Sequence, residues 1–131
     1  MSGETNLSYL LGSMQPILRQ GEYVFCSLSH QEHGYAQLDP IGFFREDEGL
    51  TLILEREQAD AVSLSYTAVF CMITLSIHSS LEAVGFLAAI TGKLAEHDMS
   101  VNPISAYYHD HLFVPAGRAQ EAMALLQEFA K

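Results

Sequence analysis

The chain has 131 residues, with 6 Lys and Arg against 16 Asp and Glu, a formal charge of −10. That balance excludes a broad basic surface for nucleic acid and disfavours an anionic membrane, because phosphates and acidic lipids repel it. Hydrophobic residues make up 49%, enough to fill a core, so the composition argues against disorder and for one compact domain or two very small ones.

Taken in chain order, Leu7, Leu10, Leu11, Met14, Ile17 and Leu18 recur at helical spacing, and Gly12, Ser13 and Pro16 predict that this helix ends near residue 13. Gly21-Glu22 introduces the β-branched and aromatic run Tyr23 to Leu28, a strand. Ser29 to Leu38, with His30, His33 and Gly34, reads as a polar loop. Asp39-Pro40 has the form of an N-cap followed by Pro at the first helical position. It predicts a helix carrying Ile41, Phe43 and Phe44 that stops before Gly49, with Arg45 to Gly49 as its solvated end. Leu50 to Leu54 is a buried strand, and Glu55 to Val62 a short helix.

The second half opens on an apolar strand, 67–77, followed by His78-Ser79-Ser80-Leu81-Glu82-Ala83-Val84-Gly85-Phe86. Ser79-x-x-Glu82 fits a capping box, which predicts a helix lined by Leu81, Val84, Leu87, Ala88, Ile90, Thr91 and Leu94 and ending near His97-Asp98. Val101 to Tyr108 and Leu112 to Val114 form a hairpin about His109-Asp110-His111. Asp110 is the expected turn former, and Tyr107 and Tyr108 would place one ring on each strand face. After Pro115-Ala116-Gly117 comes a terminal amphipathic helix carrying Ala119, Ala122, Met123, Leu126 and Phe129. The halves, 1–65 and 66–131, share a strand–helix–strand–helix order without a linker between them.

Cys26 and Cys71 each lie within an apolar run and read as buried thiols, not as a redox pair. The N-terminus has neither the basic nor the apolar region of a signal peptide, and no apolar run approaches the roughly 18 residues of a membrane span, so a cytoplasmic protein is expected.

Chemistry concentrates in the second half. A strand feeding a helix start exposes backbone N–H groups, here around Ser80 to Val84, that can hold a carboxylate with help from the helix dipole. Gly85 permits close backbone approach. Glu82 and Asp110 are the nearest acceptors for an ammonium group. Against this stands simple helix capping by Ser79 and Glu82. His109 and His111 share one face of an extended chain and could clamp a metal if the fold added His78, but zinc sites need three or four ligands and no others lie nearby in sequence. No nucleophile elbow, HExxH, Walker loop or GxGxxG is present, so neither a catalytic residue nor a cofactor is assigned.

The stretch Ile73 to Ala88, and Asn102 to Pro115 after it, resembles the stand-alone bacterial ACT-like proteins, built from two ACT-like halves. Gly21 to Phe25 and Glu48 to Leu50 carry a weaker likeness in the first half, and the cytosolic arginine sensors of eukaryotes are distantly similar. The resemblance implies an α+β, ferredoxin-like sandwich with antiparallel sheet and helices on one face. It further implies homodimers formed by side-by-side sheets and a small-molecule ligand, an amino acid, bound without catalysis. The implied ligand contacts are Ser79, Ser80, Leu81, Glu82, Val84, Gly85 and Phe86, completed by Ser105, Tyr107 and Asp110. An ACT turn commonly carries an acidic residue and a Pro-Gly pair where this chain has Ser79-Ser80-Leu81-Glu82. Any regulatory output requires a separate protein partner. Two other readings stand beside this one: an adaptor with an unused pocket, and a metal-dependent or acid–base enzyme using His78, His109 and His111.

Overall fold

The computed structural model describes residues 6–31, 37–77 and 84–130. Its chain divides into two compact units, residues 21–70 and the combination of 1–20 with 71–131.

The larger unit opens with helix α1 (Leu7–Ser13), whose N-cap Asn6 accepts a hydrogen bond from the Tyr9 N–H at 2.9 Å. The helix ends where the sequence predicts. Met14, Ile17 and Leu18 do not prolong its stripe; β1 (Gln15–Leu18) follows and pairs antiparallel with β5 (Phe70–Ser76). Then come α3 (Phe86–Ala95), the hairpin β6 (Asn102–Ser105) and β7 (Asp110–Pro115), a 3-10 turn and α4 (Ala119–Gln127). The strands lie in the order β1-β5-β7-β6. This is a β-α-β-β-α-β sandwich whose closing strand, β1, comes from the N-terminus of the chain. The helices bury Phe86, Ile90, Leu94, Ala122 and Leu126 against Ile73, Leu75, Leu112 and Val114, the alternate residues of β5 and β7.

The smaller unit contains β2 (Tyr23–Leu28), β3 (Gly42–Glu46), β4 (Gly49–Glu55) and α2 (Arg56–Ala61), in the order β3-β4-β2. β2 and β3 are each antiparallel to β4, so they are parallel to one another and the segment between them is a crossover. Tyr23 pairs with Phe70 at the close of the unit. Val24, Cys26, Leu28, Leu52, Leu54, Ala59 and Leu64 form its core. Cys26 is a free thiol whose pKa burial raises, which keeps it protonated at neutral pH.

Two expectations are corrected here. Residues 39–48 form no helix: β3 and β4 make a hairpin about the two-residue turn Asp47-Glu48. A helix there needs one apolar face to bury, yet Ile41, Phe43 and Phe44 are all exposed, and cross-strand pairing with Leu50 to Ile53 overrides the local Asp-Pro signal. Gly49 is no helix cap but the first residue of β4, at φ +155°, where a Cβ would stand 2.3 Å from the Leu28 carbonyl oxygen. The division of the chain also differs from the expected halves 1–65 and 66–131, because β1 bonds to β5 and carries the first twenty residues into the second unit.

Candidate functional site

The expected site lies at one end of the larger unit. β5 runs toward it, and the imidazole Nδ1 of His109, in the hairpin turn, reaches the Ile77 carbonyl oxygen at 3.4 Å, so the strand end and the turn adjoin.

Gly85 is the N-cap of α3, at φ +88°, a left-handed conformation that glycine adopts without strain. Its carbonyl accepts the first helical bond, from the Ala89 N–H at 2.9 Å. Gly85 has no side chain with which to cap the helix, and no acidic residue stands in the first turn. The dipole end of this helix thus has no carboxylate of its own turn against it. The expected helix start at Ser79 to Val84 is corrected in part: Val84 is 84% exposed and precedes the helix, which begins at Phe86. Phe86 itself is buried in the core. Ser79, Ser80, Leu81 and Glu82, with His78, lie outside the described residues.

Across the hairpin, Ser105 and Asp110 are register partners, and the Ser105 hydroxyl donates to Asp110 Oδ1 at 2.5 Å. Asp110 is buried and opens β7, so it is not the turn former that the sequence suggested. The turn is Ala106 to His109, closed by the Ala106 N–H donating to the His109 carbonyl at 3.0 Å. Tyr107 and Tyr108 occupy this turn, not opposite strand faces; they stand exposed, edge to face, with ring centroids 4.9 Å apart.

The histidines face different partners. Arg19 Nε donates to Thr74 Oγ1 at 3.0 Å, and Thr74 Oγ1 lies 3.0 Å from His111 Nδ1. All three groups are satisfied when the arginine donates to the hydroxyl and the hydroxyl donates to a neutral imidazole. Burial lowers the His111 pKa, and the positive charges of His109 and Arg19 lower it further, against an opposing contribution from Asp110. The His109 and His111 rings are 6.5 Å apart, each with its Nδ1 engaged. Among the described residues no group of three or more His, Cys, Asp or Glu side chains could hold a metal. Sequence reading passed over Arg19 and Thr74. A threonine in the middle of an apolar strand was its local sign.

In the smaller unit a shallow depression is lined by Gly21, Glu22, Glu55, Arg56 and Glu57. Arg56 is already committed there, donating to Glu22 at 3.0 Å and to the Tyr66 hydroxyl at 3.1 Å, while Tyr66 donates to Asp60 at 2.8 Å.

The sequence matches ACT-domain family models over residues 2–82 and again over 67–128. The chain belongs to the ACT-domain family. Its two matches give it a tandem of ACT-like segments, of a family with regulatory, ligand-binding roles. Among solved structures, a protein of unknown function from Vibrio cholerae, described as a possible transport protein, is 51% identical over 95% of this chain and 96% of its own, with a TM-score of 0.87. A protein from Agrobacterium tumefaciens is 17% identical over 88% of each chain, with a TM-score of 0.73. Clostridium acetobutylicum aspartate kinase is 10% identical over 98% of this chain but 36% of the kinase, with a TM-score of 0.69, a likeness of fold. No curated protein sequence matches the chain. Among the described residues, no helix of this ACT protein is long and apolar enough to cross a membrane.

Proposed function

We propose that this ACT protein is a non-catalytic regulatory module that binds a free amino acid at the end of its larger unit. The ligand carboxylate would be held by the backbone N–H groups at the head of α3 and the turn before it. The ammonium group would be accepted by Asp110, beside Ser105, with Tyr107 in the adjoining turn. Ser79 to Glu82 complete the reading as sequence expectations.

One observation carries this reading: a ten-residue helix, α3, whose N-cap is a glycine with no side chain to cap it, in the same unit as a buried carboxylate, Asp110, that opens β7 beside the hairpin turn. A zwitterion fits such a pairing, with its negative group at the helix dipole and its positive group at the carboxylate. The ACT family matches support a ligand-binding role of this kind.

A thermal-shift screen with the twenty amino acids tests it. A ligand at a hundred times its Kd adds about 2.7 kcal/mol of stability by mass action, a shift of several degrees. At least one amino acid should produce that shift, and Asp110→Asn should abolish it. A folded protein that responds to none of the twenty refutes the proposal.

A further inference from the structure

We propose that the sheet of the larger unit carries a binding site on the face opposite its helices, where Arg19 takes up the dianionic phosphate group of a small molecule. The proposal does not rest on the amino-acid reading, because α3 and Asp110 belong to the other side of that sheet.

Leu18, Ile73, Leu75, Leu112 and Val114 pack with the helices, so alternation turns Ile17, Thr74 and His111 to the opposite face. The chain has 16 Asp and Glu, yet none occupies a position of β1, β5, β6 or β7 that points to this face. Its ionisable groups are Arg19, just past β1, and His111, with His109 in the adjoining turn. On a chain of −10, a face without carboxylates is where an anion meets least repulsion.

Arg19 is held in one direction from two sides. Its backbone N–H donates to the Met72 carbonyl at 2.8 Å, and its Nε donates to Thr74 Oγ1 at 3.0 Å. Arg56, Lys93 and Arg118 each pair with a carboxylate, at 3.0, 2.6 and 2.9 Å. Arg19 has no such partner among the described residues; its anchor is a neutral hydroxyl, which fixes the side chain and leaves its charge uncompensated. The side chain is exposed, so the Nη1 and Nη2 fork faces water. An anchored guanidinium with an open fork is a preorganised receptor for the paired oxygens of an oxyanion.

His111 links the site to protons. The groups around its ring are Arg19 from the end of β1, with His109 and Asp110 from its own strand and turn. β5 and β6 contribute Thr74 and Ile104, neither of which titrates. Burial, His109 and then Arg19 keep the imidazole neutral. An anion on Arg19 cancels the arginine's share, so binding draws a proton onto His111, and by reciprocity affinity rises as pH falls. The guanidinium alone balances a monocarboxylate. The proton gained by His111 balances a second negative charge, which selects a phosphate group over a carboxylate. The net charge of −10 keeps longer polyanions away.

Sulfate is the probe, because it keeps both charges at pH 5.5 and 7.5 where a phosphate does not. NMR titration with sodium sulfate, against sodium chloride of equal ionic strength, should give saturable shifts centred on Arg19, Thr74 and His111. Affinity should be at least about twofold higher at pH 5.5 than at pH 7.5. Methyl phosphate should displace sulfate at pH 7.5, and acetate should not. Arg19→Gln, with circular dichroism as the folding control, should weaken binding at least about tenfold. Arg19→Lys should recover only part of it, and Arg45→Gln, in the smaller unit, should change nothing. His111→Gln should still bind sulfate at pH 7.5 but lose the pH dependence. The absence of saturable shifts at Arg19 overturns the proposal. So does unchanged affinity in both folded Arg19 variants, displacement by acetate as effective as by methyl phosphate, or an affinity in wild type that is the same at both pH values.

Discussion

Replacing Thr74 by Val isolates the contribution of one buried hydroxyl. The residue is 1% exposed, and valine matches its shape, so the change creates almost no cavity. What disappears is the link that takes a hydrogen bond from Arg19 and gives one to His111, each at 3.0 Å. A hydrogen bond contributes about 0.5–1.5 kcal/mol net, so two amount to roughly 1–3 kcal/mol. Arg19 is exposed and regains water, which favours the lower part of that range. For a chain of this size the loss corresponds to a fall in Tm of roughly 3–10 °C. Thr74→Ser is the control: it keeps the hydroxyl, drops one methyl and should cost about 1 kcal/mol. Urea unfolding followed by circular dichroism measures both. The His111 ring, followed by NMR titration, supplies a second readout. Without the donated hydroxyl its neutral form loses support, so its pKa should rise in the valine variant. A valine variant as stable as wild type, with an unmoved His111 titration, would refute the reasoning.

The remaining expectations concern separate elements. Because the folded His111 pKa lies below its ordinary value of 6.5, the unfolded chain binds more protons between the two values and stability rises with pH across that window. The contribution is complete above pH 6.5 and is lost as pH falls toward the folded pKa; unfolding at pH 5.5 and 7.5 should show the difference, and His111→Gln should reduce it. Gly49→Ala places a Cβ 2.3 Å from the Leu28 carbonyl oxygen, so it should cost more than about 1 kcal/mol and increase amide exchange along β2 and β4. Arg118 donates to the carbonyls of Asp98 and His97 at 2.9 and 3.0 Å, just past the C-terminal end of α3. Arg118→Ala should cost about 1 kcal/mol, with Arg118→Lys recovering only part of it, since an ammonium does not reproduce the planar fork.

Much of the fold was readable because its signals are local. Six residues from Tyr23 to Leu28 carry strand propensity of their own, Gly12, Ser13 and Pro16 mark the end of α1, and the polar turn between β6 and β7 declares a hairpin. The candidate site was legible in type, a strand feeding a helix beside a hairpin, but not in detail. Gly85 moves the helix head past Val84, and Asp110 proves a buried strand residue because Ser105 across the ladder holds its carboxylate.

By itself the sequence determined the family, the alternation of strands and helices, and an acidic surface unsuited to polyanions, because composition and short-range periodicity are properties of neighbouring residues. Tertiary structure decided the rest. It made an Asp-Pro segment with two phenylalanines into an edge strand by pairing it with Leu50 to Ile53, and it drew the first twenty residues to β5 across more than fifty positions of chain. It also joined Arg19 to Thr74 and His111. Hydrogen bonds between distant strands leave no periodic trace in either strand alone, so only the folded chain reveals them.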